Sequence, residues 1–239
     1  MREKFGITGN TLKIIAVMAM AIDHIGAVVV TYFMTIPGEY QELWGKLYWP
    51  FRNIGRIAFP IFCFLLVEGF LHTRSQKRYL YRMLFFAVLS ELPFNLAFRG
   101  SILAPENQNV FWELTLGIVL MILLHGIEER RWNGILLKVS LMILVVIFTA
   151  AAAEEFHFDY GNHGILTIAL LYYFRNYRGL RLMAGALSFL WSFKAMFAFL
   201  PIAFYNGKRG GGRKYAFYIF YPAHLLILYL IIQVAACIN

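Results

Sequence analysis

Asp23 and His24 stand side by side in Ile22-Asp23-His24-Ile25-Gly26, well inside a long apolar run where little water is available to solvate a charge. A histidine in such a place can take a proton near neutral pH, and a nearby carboxylate raises its basicity. That carboxylate need not be Asp23, because neighbouring residues on a helix diverge by about 100°. Arg56, in Gly55-Arg56-Ile57-Ala58-Phe59-Pro60, reads either as a snorkelling interfacial cation or as a clamp for an anion. Glu91 and Asn95 are four apart and share a helical face, with Pro93 between them as a kink; Asn109 and Glu113 repeat the spacing. The segment Asp159-Tyr160-Gly161-Asn162-His163-Gly164 gathers polar groups among turn-forming residues. His224 follows Pro222 by two positions and reads either as a packed core residue or as the lining of a hydrated channel.

The elements that must position these groups are membrane-spanning helices. Of 239 residues, 60% are apolar and only 15% charged, with a mean hydropathy of +0.63, whereas soluble domains sit near half and a quarter. Apolar runs cover residues 12–34, 55–72, 79–98, 110–127, 135–152, 163–175, 181–193, 195–206 and 216–237; roughly 20 apolar residues suffice to cross a bilayer as a helix. The expectation is an all-α polytopic bundle of about nine spans forming one membrane domain over 1–239, or eight spans if residues 181–206 cross only once.

Charge orients the bundle. The basic connection carrying Arg74, Lys77, Arg78 and Arg82 belongs in the cytoplasm, as do Arg2, Lys4 and Lys13, then Arg130 and Arg131, then Arg175, Arg178 and Arg181. The acidic connection Glu154, Glu155, Asp159 then falls outside. A single crossing at 181–206 would put Lys208, Arg209, Arg213 and Lys214 outside as well, so two short or re-entrant helices broken near Lys194 are expected. On this topology Asp23, His24, Arg56, Glu91 and Glu113 lie toward the outer leaflet on four helices, which points to a shared cavity. An ionisable group near the bilayer centre costs roughly 2.5–3.5 kcal/mol and persists where it faces protein or water. Glu68 lies near the cytoplasmic end and reads as structural.

Other classes are disfavoured. The net charge of +9 lies in loops between apolar runs and leaves no basic, aromatic-interleaved face for nucleic acid. Cys63 and Cys237 read as small core residues, without metal-ligand spacing around them. The first run is too long for a signal-peptide core and reads as a retained helix. No internal repeat of the transporter kind is present. Two further classes stay open: a proton-coupled small-molecule transporter, and a structural component of a conjugation or secretion machine.

Several strings together resemble the TraX family. They are Leu12-Lys13-Ile14-Ile15-Ala16, the Asp23-His24 string, Gly55 to Phe62, Glu68-Gly69-Phe70, Ser90 to Asn95, Asp159-Tyr160-Gly161, Tyr205-Asn206-Gly207 and Tyr218 to Leu225. The pattern is also similar to that of multi-span membrane acyltransferases. The resemblance implies acetyl transfer from cytoplasmic acetyl-CoA to an amine, such as a pilin or peptide N-terminus, or to a hydroxyl of a glycan at the outer face. It implies residence in a bacterial cytoplasmic membrane. By that likeness His24 is the general base and Arg56 a binding or charge-stabilising residue. Asp23 or Glu91 would assist His24, and Asn95, Glu113, Asp159 and His224 would line the acceptor site. Arg74, Lys77, Arg78 and Lys208 would meet the phosphates of the donor, or else serve topology alone. No metal is expected.

Overall fold

The computed structural model describes residues 6–212 and 215–238. Arg2, Lys4, Arg213 and Lys214, used above to orient the chain, lie outside them. The described residues are helical, with only two isolated bridges, Ile7 to Tyr205 and Gln108 to Phe158. In chain order the helices are α1 (Gly9–His24), a π-helical turn (Ile25–Val30), α2 (Thr31–Thr35), α3 (Gln41–Gly55), α4 (Ala58–Leu71), α5 (Gln76–Arg99) and α6 (Val110–Glu129). They continue as α7 (Ile135–Glu155), α8 (Gly161–Tyr173), α9 (Arg178–Leu187), α10 (Phe193–Met196), α11 (Phe199–Ala203) and α12 (Ala216–Ile238).

Six stretches among the described residues are long and apolar enough to cross a membrane: Gly9–Thr35, Gln41–Leu71, Gln76–Arg99, Val110–Glu129, Ile135–Glu155 and Ala216–Ile238. The chain is therefore a multi-pass integral membrane protein. The all-helical class agrees with the sequence, but nine spanning lengths are not found. The intervals 163–175, 181–193 and 195–206 hold helices of 13 residues and fewer, short of the roughly 20 a full crossing needs. The stretch ending at Leu71 also begins earlier than the apolar run suggests, because α3 precedes α4. That helix was hidden in the sequence because Glu42, Lys46, Arg52 and Pro50 interrupt its apolar face.

The chain forms two compact units interleaved along the sequence. The first comprises Met1–Phe62, Leu89–Ala104 and Leu190–Asn239; the second comprises Cys63–Val88 and Pro105–Phe189. The division falls inside α4 and α5, so no single cut of the chain separates the units.

In the first unit, α3 packs along α1, the π turn and α2, and α12 packs against α1 and the π turn. Thr8 caps α1, its hydroxyl accepting from the Thr11 N–H at 3.2 Å. The N–H groups of Gly9 and Asn10 donate to the Lys208 and Arg209 carbonyls, each at 2.8 Å. Close approach of α1 and α3 depends on two glycines. A methyl at Gly26 would come within 2.7 Å of the Phe51 Cβ, and one at Gly55 would overlap the Asp23 side chain.

In the second unit, α6, α7 and α8 pack on one another, and α9 packs on α8. Asn109 caps α6 by accepting from the Phe111 N–H at 3.1 Å, and it donates to the Ala87 carbonyl at 2.9 Å. Large apolar side chains of α7, Leu136 and Phe148 among them, are exposed. On a helix of spanning length these are surfaces for lipid.

Candidate functional site

His24 ends α1 at the junction with the π turn. A π turn inserts an extra residue and redirects the side chains that follow, and such turns cluster at functional sites. The Thr31 hydroxyl donates to the Gly26 carbonyl at 3.1 Å, five residues back, and the Thr31 N–H donates to the same carbonyl.

The half-buried His24 ring meets His224 of α12. Its Nδ1 lies 2.8 Å from His224 Nε2, and the ring planes are 5° apart. His224 is buried, and its Nδ1 lies 2.8 Å from the Phe220 carbonyl one helical turn back. Phe98 of α5 and Tyr221 of α12 present their edges to His24, with ring centroids at 5.3 and 5.9 Å. Histidines 200 positions apart thus share one aromatic pocket, within a single unit.

Asp23 takes a different partner. Its Oδ2 accepts from Arg52 of α3 at 2.7 Å, and both side chains are about three-quarters buried. The carboxyl rests against Gly55, one turn further along α3. Arg56, half-buried after the end of α3, is close enough for its charge to act on Asp23. Arg52 was not singled out from the sequence, although its position four before Arg56 was a usable signal. Tyr221 and Phe98 were missed as pocket walls because aromatic residues are abundant throughout the chain.

Glu91 and Asn95 belong to the part of α5 that lies in the first unit. Glu91 is half-buried; Asn95 is buried, donates to the Ile102 carbonyl at 3.2 Å and has an Oδ1 without a hydrogen-bond partner. Glu113 lies in the second unit, fully buried, where its Oε2 accepts the Tyr160 N–H at 2.8 Å. It orders the loop that carries the exposed Asp159. Glu154 adds a second tie by accepting the Asn162 N–H at 2.8 Å. Arg74, Lys77 and Arg78 are exposed around the α4–α5 connection, and Lys208 is exposed in the loop before α12. Glu68 pairs with Arg181 at 2.6 Å, a structural tie at the end of α4. Among the described residues no group of three or more His, Cys, Asp or Glu side chains could hold a metal.

Fold and site together define a multi-pass helical membrane protein whose first unit holds an imidazole pair beside a buried ion pair. The chain belongs to the family described as TraX protein, which it matches over residues 8–232. It is also similar to a protein of Dichelobacter nodosus described as "Probable fimbrial assembly protein FimC, serogroup H1". The two are 29% identical over 251 residues, covering 95% of this chain and 97% of the relative. No solved structure matches.

Proposed function

We propose that the protein is a membrane-embedded acetyltransferase that moves an acetyl group from cytoplasmic acetyl-CoA to an acceptor at the outer face. The observation that carries this reading is the His24–His224 pair. An imidazole with one nitrogen in a hydrogen bond and the other unengaged has the arrangement required of a general base. Asp23 is held by Arg52, which supports a local electrostatic role for it rather than a direct hand on His24.

In this reading His24 removes a proton from the acceptor amine or hydroxyl, which then attacks the thioester carbonyl of acetyl-CoA. Arg56 or Asn95 would steady the oxyanion. The proton passes to the departing thiolate, so the base is regenerated. The donor is a substrate; its phosphates suit Lys208, which belongs to the same unit as His24. The name of the Dichelobacter nodosus relative concerns fimbrial assembly, which favours a protein subunit of a surface fibre as acceptor, and hence a bacterial cytoplasmic membrane as the location. The same name also supports a purely structural part in assembly.

Labelled acetyl-CoA supplied to membranes containing the protein and a pilin-type acceptor distinguishes the two. Label should reach the acceptor with the wild type and be lost with His24→Ala. Fibre assembly that survives His24→Ala without any acetyl transfer by the wild type would support the structural role instead.

A further inference from the structure

We infer that His224 is a positioning residue that fixes the tautomer of His24, leaving His24 Nε2 as the bare nitrogen that does the work. The Phe220 carbonyl, 2.8 Å from His224 Nδ1, can only accept, so His224 Nδ1 carries a hydrogen. A neutral imidazole has one N–H, and His224 Nε2 is therefore a lone pair. That lone pair faces His24 Nδ1 at 2.8 Å, so His24 Nδ1 must be the donor. The single N–H of neutral His24 is then used, and its Nε2 is left unprotonated.

Ring geometry supports each step. A centroid separation of 5.1 Å with planes 5° apart and a nitrogen–nitrogen distance of 2.8 Å is an edge-to-edge meeting, with the hydrogen bond in both ring planes. Imidazole lone pairs lie in the ring plane, so this is the orientation a directed N–H···N bond requires. Phe220 lies parallel to the His224 ring, 10° apart with centroids at 4.8 Å, and Tyr221 presents an edge at 5.6 Å, so the second ring is held on two sides. The neighbouring carboxylate, Asp23, is bonded to Arg52 instead, so His224 is the group that faces His24 Nδ1.

The consequence rests on the acetyl-transfer reading, whereas the tautomer does not. His24 Nε2 takes the acceptor's proton, and the resulting imidazolium keeps its Nδ1–H on the His224 lone pair. The Nε2–H then goes to the thiolate of the departing coenzyme. His224 neither gains nor loses a proton in the cycle. It acts as the orienting carboxylate of a hydrolase triad acts, without that group's charge, and there a wrong tautomer costs about 10⁴ in rate.

The test is nitrogen NMR of the full chain in lipid bilayers, with ¹⁵N-labelled histidine and His24→Ala and His224→Leu used to assign the signals. The expected result is His24 protonated at Nδ1 and bare at Nε2 in the wild type. His224→Gln, whose amide oxygen can still accept, should keep that pattern, and His224→Leu should lose it. A wild-type His24 carrying its hydrogen on Nε2, or a pattern unchanged in His224→Leu, would overturn the assignment. In the transfer assay His224→Gln should stay within about tenfold of wild type and His224→Leu should fall by about 10²–10⁴ in kcat with the donor KM little changed. Equal rates for the two variants would refute the positioning role. Absence of transfer by the wild type would instead count against the acetyltransferase reading alone, since the tautomer is read without turnover.

Discussion

Two half-buried ionisable groups, His24 in the first unit and Glu128 in the second, are treated in opposite ways. Glu128 is saturated: Arg175 donates from Nη1 to Oε1 at 3.1 Å and from Nη2 to Oε2 at 2.8 Å, and the Tyr172 hydroxyl donates to Oε2 at 3.0 Å. The guanidinium also stacks over the Tyr172 ring, 4.2 Å from its centroid. Charge is matched by charge, and the acid's oxygens are spent on holding helices α6 and α8 together. His24 meets another imidazole, so no opposite charge neutralises it and one ring nitrogen stays available. A saturated pair leaves no atom over; a pair of bases in an aromatic pocket leaves one ring nitrogen outside the bond.

The contrast is broken most sharply by comparing His24→Ala with Arg181→Ala. Removing His24 should lower acetyl transfer by about 10²–10⁴, the usual worth of a general base. Thermal unfolding in detergent should change far less. Removing Arg181 strands Glu68, whose side chain is only 13% exposed. That should cost about 3–5 kcal/mol of stability, as breaking buried pairs does, while the protein that remains folded keeps its transfer rate. If Arg181→Ala abolished transfer in folded protein, the division between structural and chemical pairs would fail.

Gly55→Ala should show a mixed effect, because the added methyl displaces the Asp23 carboxyl from α3. A loss of about 1–3 kcal/mol is expected from the overlap, with transfer reduced because the ion pair with Arg52 is disturbed beside His24. Tyr172→Phe removes one donor from Glu128 and should cost about 1 kcal/mol, leaving transfer intact. Lys46→Ala removes the exposed pair with Glu42, whose side chains are 70% and 81% exposed. There the change should be at most about 0.5 kcal/mol, measured in the same unfolding experiment.

Much of this was legible in advance because hydropathy is a sum over neighbouring residues. A bilayer penalises each charge on its own, so apolar runs mark helices of spanning length, and Asp23, His24 and Glu113 are visible as anomalies inside them. Where the local sum is mixed, as in α3, the helix was invisible, and with it Arg52. Where apolar runs are interrupted, as between residues 163 and 206, local composition marked runs whose helices are 13 residues or shorter, below spanning length.

The sequence by itself determined that this is a polytopic helical protein, that it belongs with a particular family pattern, and that it carries ionisable groups where lipid would reject them. Only the tertiary structure decided who meets whom. Asp23 and His24 are adjacent in the chain yet face different partners, because successive residues on a helix point about 100° apart. His24 and His224 are 200 positions apart yet share a hydrogen bond, because helix rotation and depth, not distance along the chain, select the neighbour. Those two variables are fixed by packing at glycines and aromatics contributed by several helices, and no local reading of residues contains them.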